Sequence, residues 1–350
     1  MDAALPTPDA PETAGPPAHG EVRAVEDGLL WIRLSLPFRL NHVNGWAIDD
    51  GDGWTVVDTG VSDPRTRAAW EALLAGPLSG KPLHRVIATH FHPDHIGLAG
   101  WLVEKTGAVF VSSLTEWLFA RALSADDGAW QAEACAGFYR RAGLTGDRLD
   151  AVLAHGGSYT RAVPTVPATV QRLRHGDRLT LGGASWRMIG SGGHTPEPVA
   201  LFRHERPVLI AGDQVLERIS PNVSVWPTEP DADPLADFLD GFAAFESLPA
   251  DTLVLPSHGR PFTGLHARLA ELRAHHEERL EEALALCATA VTAAKAADAM
   301  FPGPLDTHQT VFALGEAIAH LNHLRNRGAV ERTTGSDGID RYRRRADPRG

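Results

Sequence analysis

The sequence predicts an α+β protein in which two β-sheets pack together with helices outside them, followed by a small, mostly helical unit. Three observations predict it. Short apolar runs of strand type alternate with single helices in two blocks, one before about residue 114 and one after about residue 160. Between the blocks, from Leu114 to about Thr160, the pattern turns helical and reads as an insertion that overhangs a site. From His266 onward, long helical stretches lead to a terminal hairpin.

Taken in order, Met1 to Gly20 is rich in Pro and Ala and carries Asp2, Asp9 and Glu12, so residues 1–20 read as a disordered arm. Without a basic start or an apolar stretch, the arm does not read as a secretory signal. Strands follow at Leu29–Leu36, Val43–Ile48 and Trp54–Val57, then a helix over Pro64–Leu74. His84–Thr89 is a short strand, Asp94–Lys105 a helix ended by Gly107, and Ala108–Val111 another strand. Helix dominates around Trp117–Leu123 and Trp130–Arg141. Strands then resume at Val170–Leu173, Arg178–Leu181, Ser185–Ile189, Val199–Phe202 and Val208–Ala211. A helix at Leu235–Leu248 and a strand at Thr252–Leu255 complete a region spanning 21–264. The remaining unit, 265–350, holds a long helix over His266–Ala288, then Ala293–Met300, Asp306–Arg327 and a hairpin over Val330–Arg343.

Composition narrows the function classes. Apolar residues make up 43% and charged residues 22%, a globular profile, and no run approaches the length of a membrane span. Two distant cysteines, Cys135 and Cys287, exclude a disulfide framework, read as small buried apolar residues, and fit a reducing cytoplasm. The net charge of −11 argues against a protein that grips nucleic acid over its surface. From Leu265 onward acids and bases balance, so the first 264 residues hold the negative excess.

The chemistry sits in five short pieces, each at the end of an expected strand, where rigid elements feed one rim. They are Val57-Asp58-Thr59-Gly60, Thr89-His90-Phe91-His92-Pro93-Asp94-His95, Gly193-His194-Thr195-Pro196, Gly212-Asp213 and Ser257-His258-Gly259. His90 and His92, two apart in extended chain, point to one side and can bind one ion. Pro93 turns the chain, so Asp94 and His95 project differently from the start of a helix and can reach a second ion. An anion such as Asp94 is favoured at that helix N-terminus. His194 would complete a three-histidine set, Asp213 could bridge two metals, and His258 would join Asp94 and His95. Imidazole with few carboxylates and no thiolate suits zinc, with iron or manganese as alternatives. The other twelve histidines, including His275, His276, His320 and His323, read as solvated or packing residues.

These pieces resemble the five motifs of the metallo-β-lactamase superfamily, in order, over roughly Leu29 to Gly264. The resemblance implies an αββα sandwich with a dinuclear site at one edge. By that match His90, His92 and His194 bind the first metal, Asp94, His95 and His258 the second, and Asp213 bridges. Asp58 matches an acid that supports the site by orienting a ligand histidine. The presence of both Asp94 and Asp213 is similar to the glyoxalase II branch, from which Glu197-Pro198 departs. The tail resembles the winged-helix extension found on one group of these hydrolases. It carries an apolar helical face of Phe312, Ile318, Leu321 and Leu324, and a cluster of Arg341, Arg343, Arg344 and Arg345.

Two such metals would hold a bridging water and lower its pKa, giving a hydroxide nucleophile, with Asp94 steering it and shuttling its proton. No obvious general acid stands by, which suits a thiolate leaving group. The expected activity is therefore hydrolysis of a thioester, or of an ester or lactone, on a small-molecule acyl substrate. The alternatives are a phosphodiesterase or nuclease and a mononuclear iron persulfide dioxygenase. Asn222 and Trp226, in the rigid stretch after Asp213, are the candidates for lining the substrate pocket. The tail is expected to pack on its own domain or on a second subunit, and the second alternative would make a homodimer.

Overall fold

The computed structural model describes residues 15–37, 40–126, 129–154 and 158–346. Of the expected arm, residues 1–14 lie outside the described residues. Residues 15–20 run against the first sheet: Gly20 N–H donates to Arg33 O at 2.8 Å, and Ser35 N–H to His19 Nδ1 at 2.9 Å.

The architecture is the αββα sandwich with a small helical and β unit after it. Seven strands form the first sheet in chain order: β1 (Val22–Glu26), β2 (Leu29–Ser35), β3 (His42–Asp49), β4 (Trp54–Val57), β5 (Leu83–Ile87), β6 (Val109–Ser112) and β7 (Gln171–Arg172). The first four pair antiparallel and the last four parallel. Parallel neighbours need crossovers, supplied by α1 (Pro64–Ala75), by α2 (Pro93–Ile96) with α3 (Ala99–Thr106), and by the insertion. The insertion is four helices: α4 (Leu114–Ala125), α5 (Ala129–Arg141), α6 (Gly146–Ala154) and α7 (Ser158–Ala162). The second sheet holds β8 (Arg178–Leu181), β9 (Ala184–Gly190), β10 (Val199–Arg203), β11 (Val208–Gly212) and β12 (Leu253–Pro256), in the order β12-β11-β10-β9-β8.

Strand alternation sorts the core into layers. Leu29, Trp31, Trp46, Ile48 and Val57 turn inward against Trp186, Met188, Leu201 and Ile210 of the second sheet. Leu30, Ile32, Leu34, Ala47 and Val56 turn outward under Trp70, Leu73 and Leu102 of α1 and α3. Two details depart from expectation. Strand β1 was not foreseen, and the helix expected over Asp94–Lys105 breaks at Gly97–Leu98. At Gly97 a Cβ would lie 2.4 Å from Pro93 O and 2.7 Å from Gly60 O, so the chain passes too close to the Asp58 turn for a side chain there. Leu98, with φ −104° and ψ 6°, restarts the helix in a new direction.

Beyond α8 (Pro234–Glu246) come α9 (Leu265–Leu286), α10 (Ala293–Met300), α11 (Thr307–Asn326) and a hairpin of β13 (Val330–Thr334) and β14 (Asp340–Arg344). This unit shares one core with the outer face of the second sheet: Phe238, Phe242 and Phe245 of α8 pack with Leu269, Leu272, Ile318, Leu321 and Leu324. Of the expected apolar face of α11, Phe312 is only half-buried. Polar ties add register: Asn322 Nδ2 donates to Pro230 O and Ala232 O (3.2 and 2.9 Å), and Asp231 pairs with Arg325 (3.0 Å) and Arg332 (2.8 Å). The tail thus packs on its own domain. Cys287 is buried as expected, whereas Cys135 is half-exposed. Among the described residues, no helix is long and apolar enough to cross a membrane.

Two of the tail's histidines are core residues. His276 and His320 are fully buried where α9 meets α11, with Nδ1 and Nε2 3.4 Å apart. Burial pushes His276 down to about 3 and His320 down to about 4, each helped by neighbouring cations and imidazoles. The unfolded chain takes up these protons near 6.5, the folded chain only below about 4, so stability falls as pH falls through that window. Melting curves from pH 7 to 4 are expected to drop more steeply for the native chain than for His276→Gln. Parallel curves would exclude the buried pair as the cause.

Candidate metal centre

Five strand ends meet at one edge of the sandwich. After β4 the chain turns sharply, and Asp58 adopts the left-handed conformation with φ 61°, unusual for a residue with a side chain. That turn buries its carboxylate beneath the other loops. Thr89 N–H and Oγ1 donate to it at 2.8 and 2.9 Å, and Asp58 Oδ2 lies 2.8 Å from His95 Nδ1. Asp58 therefore holds His95 from behind and leaves Nε2 facing the cluster.

The other imidazoles are fixed in the same way. His194 Nδ1 donates to Asn222 O at 2.7 Å, and His258 Nδ1 donates to His42 O at 2.7 Å. Both Nε2 atoms then face inward, each 3.4 Å from Asp213 Oδ2. His95 Nε2 lies 3.6 Å from Asp213 Oδ2 and 3.6 Å from Asp94 Oδ2, which is 3.5 Å from His258 Nε2. His90 Nε2 and His92 Nδ1 converge at 3.0 Å.

Three overlapping sets of potential ligand atoms result, each within 4.8 Å: His90/His92/His194, His90/His95/Asp213 and Asp94/His95/His258. Their burial supplies the test of fit. His95 Nε2, His194 Nε2 and Asp213 Oδ1 are buried without a hydrogen-bond partner, a costly state for polar atoms that a shared cation would relieve. Burial, then the neighbouring imidazoles, holds His90 and His92 well below the usual imidazole range, so both offer neutral lone pairs. Asp213 goes the other way: burial opposes its charge, but His258 and His95 outweigh burial and keep it an anion. These His/Asp clusters fit a dinuclear metal site.

The fold and this site are those of the metallo-β-lactamase superfamily: the superfamily model matches residues 39–258, and the chain belongs to that family. A second model, the metallo-beta-lactamase-like C-terminal domain, matches residues 280–345. The chain is similar to a beta-lactamase domain protein from Burkholderia ambifaria, 43% identical over 96% of this chain and 97% of that one, with a TM-score of 0.89. A metallo-beta-lactamase family protein from Thermus thermophilus is 31% identical over 92% of this chain and 100% of that one, with a TM-score of 0.79. A Bacillus subtilis protein described as a probable metallo-hydrolase is 22% identical over 309 residues, 87% of this chain and 94% of its own. Fold, site and relatives together define a metal-dependent hydrolase.

The two candidates for pocket lining are placed differently. Asn222 gives its carbonyl to His194, while its side chain is engaged by Glu316 Oε2 (3.2 Å) and Ser224 Oγ (2.6 Å). Its observed contacts are those of a support for a ligand histidine. Trp226 is half-buried and meets Phe312 of α11 edge-on at 5.7 Å. The insertion brings residues that sequence reasoning missed. Glu116, fully buried and pushed up to about 7 by that burial, accepts from Phe91 and Glu197 N–H. Tyr159 OH donates to Phe91 O at 2.6 Å, and Phe119 stacks on the Phe91 ring at 5.4 Å. The Ser113-x-x-Glu116 spacing signals only a capping box. Ser113 does cap, accepting from Glu116 N–H at 3.2 Å, but the Glu116 carboxylate is used elsewhere.

Proposed function

We propose that the protein hydrolyses a thioester, with esters and lactones as the nearest relatives of that substrate, in the manner of the glyoxalase II branch. The reading is carried by the inward-facing atoms of His95, His194 and Asp213, buried without protein partners around one point. The chemistry that two divalent ions, zinc first among the candidates, would supply there is a lowered pKa for bound water and polarisation of the scissile carbonyl. His90, His92 and His194 would hold one ion and Asp94, His95 and His258 the other, with Asp213 as the acid they would share.

The protein's own groups decide the rest. Asp58 and the Asn222 and His42 carbonyls fix the tautomers of His95, His194 and His258. Asp94 is the partly exposed carboxylate of the cluster, and it would orient the attacking water and accept its proton. Other carboxylates near the cluster are committed: Asp58 to Thr89 and His95, and Glu116 to two backbone N–H groups. A leaving group that departs as a stable anion, as a thiolate does, is therefore favoured over one that needs a proton.

A screen of acyl-glutathione, acyl-CoA, a lactone and bis-p-nitrophenyl phosphate tests this. At least one thioester or ester is expected to turn over, with the phosphodiester slower by at least about tenfold, the equivalent of 1.4 kcal/mol in barrier. The reverse order of rates would replace the reading with a phosphodiesterase.

A further inference from the structure

Glu116 is fully buried, and its carboxylate is spent on two loops. Oε2 accepts from Phe91 N–H at 3.0 Å, and Oε1 accepts from Glu197 N–H at 2.7 Å. Phe91 lies between His90 and His92, and Glu197 follows His194 by three residues. One side chain thus spans the loops that supply all three imidazoles of the first ion. Glu197 returns the contact, its Oε2 accepting from Thr115 Oγ1 at 2.6 Å and from Thr115 N–H at 3.3 Å. Glu197 thereby acquires a physical task.

A buried carboxylate is tolerated where donors satisfy both oxygens. Here the donors belong to different loops, so satisfying them fixes the distance between those loops. Tyr159 holds the opposite side of the same peptide segment through Phe91 O, which leaves the His90–His92 turn little room to drift.

We propose that Glu116 is a positioning residue for the first ion, a clasp that sets His194 against His90 and His92. It touches neither ligand nor substrate and acts through the two peptide N–H groups. The inference rests on the dinuclear reading above.

Glu116→Gln is the discriminating variant. An amide has one acceptor oxygen, so its NH2 must face one of the two N–H donors and one tie is lost. Metal-free protein titrated with Co2+ against a competing chelator reads the two ions, assigned with His194→Ala and His258→Ala as references. Glu116→Gln is expected to weaken the ion assigned to His194 about 10- to 100-fold, the usual effect of removing an outer partner. The ion assigned to His258 is expected to keep its affinity. Glu197→Ala, which removes only the Thr115 tie, is expected to weaken the same ion by a smaller factor.

Native affinity for both ions in Glu116→Gln overturns the clasp. So does equal loss of both ions in step with a lower melting temperature of the metal-free protein, since that is a merely structural role. Should Glu116→Gln fail to fold, native affinity in Glu197→Ala overturns it. A native chain that takes up no Co2+ sinks the dinuclear reading and the clasp together. Two ions in the native chain with undisturbed uptake in the variants sink the clasp alone.

Discussion

His92→Ala and Asp213→Ala are each expected to abolish hydrolysis, but to differ in what remains bound. Protein prepared without chelator is expected to carry close to two first-row metal ions per chain by elemental analysis. His92 belongs to one ligand set, so its loss should release one ion and leave the other largely in place. Asp213 is 3.4 Å from both His194 Nε2 and His258 Nε2 and 3.6 Å from His95 Nε2, so it faces both sets. Its loss should lower occupancy at both, and leave His95 and His258 with one fewer of the anions that compensate their burial, Asp94 remaining 3.6 and 3.5 Å away. Outer partners of a metal typically cost 10- to 100-fold when removed, and a direct ligand should exceed that, giving a fall in activity of more than about 100-fold. Full activity in Asp213→Ala would sink the dinuclear assignment. One iron per native chain would instead favour the persulfide dioxygenase.

The residues of that cluster could be picked out in the sequence because their chemistry is local. His90, His92, Asp94 and His95 fall within six consecutive residues, a density that packing or solvation does not explain. His194, Asp213 and His258 each follow an apolar strand, and strands that pair in one sheet deliver their ends to one edge. What could not be read is the support behind them. Asn222 reaches His194 with a backbone carbonyl, an atom every residue carries. Glu116 reaches Phe91 and Glu197 through peptide N–H groups 25 and 81 residues away, so no spacing rule connects them. The break at Gly97 is hidden for a similar reason, since it answers to the distant carbonyl of Gly60. Layers and candidate ligands follow from periodicity and residue type, whereas the second layer of hydrogen bonds exists only once the fold has formed.

Removing everything after Gly264 is expected to leave a chain that does not fold to a soluble native state. The cut strips α9, α10, α11 and the hairpin from a core they share with α8 and the second sheet, uncovering Leu235, Phe238, Phe242 and Phe245. Each large apolar side chain returned to water costs about 1.5–3 kcal/mol, so a handful of them matches the 5–15 kcal/mol that holds a typical domain together. Leu321→Ala is the milder test: Leu321 is fully buried, and a cost of about 2–5 kcal/mol is expected as a lowered melting temperature. The tail also reaches the metal centre. Glu316 accepts from Asn222, Val225 N–H donates to Gly315 O at 3.1 Å, and a Cβ at Gly315 would sit 2.9 Å from Ser224 Cβ, so α11 holds the loop whose carbonyl fixes His194. A truncated chain recovered in soluble form should therefore bind metal more weakly than the intact one. The arginines are predicted to matter little. Arg341 is tied to Asp337 at 2.7 Å within the hairpin, and Arg343, Arg344 and Arg345 are exposed. Replacing all four with Ala should leave catalysis and melting temperature nearly unchanged, because exposed charges contribute little to stability. If the intact protein instead bound RNA or DNA at physiological salt and that replacement abolished the binding, the tail would be a nucleic-acid module and not a structural partner of the sandwich.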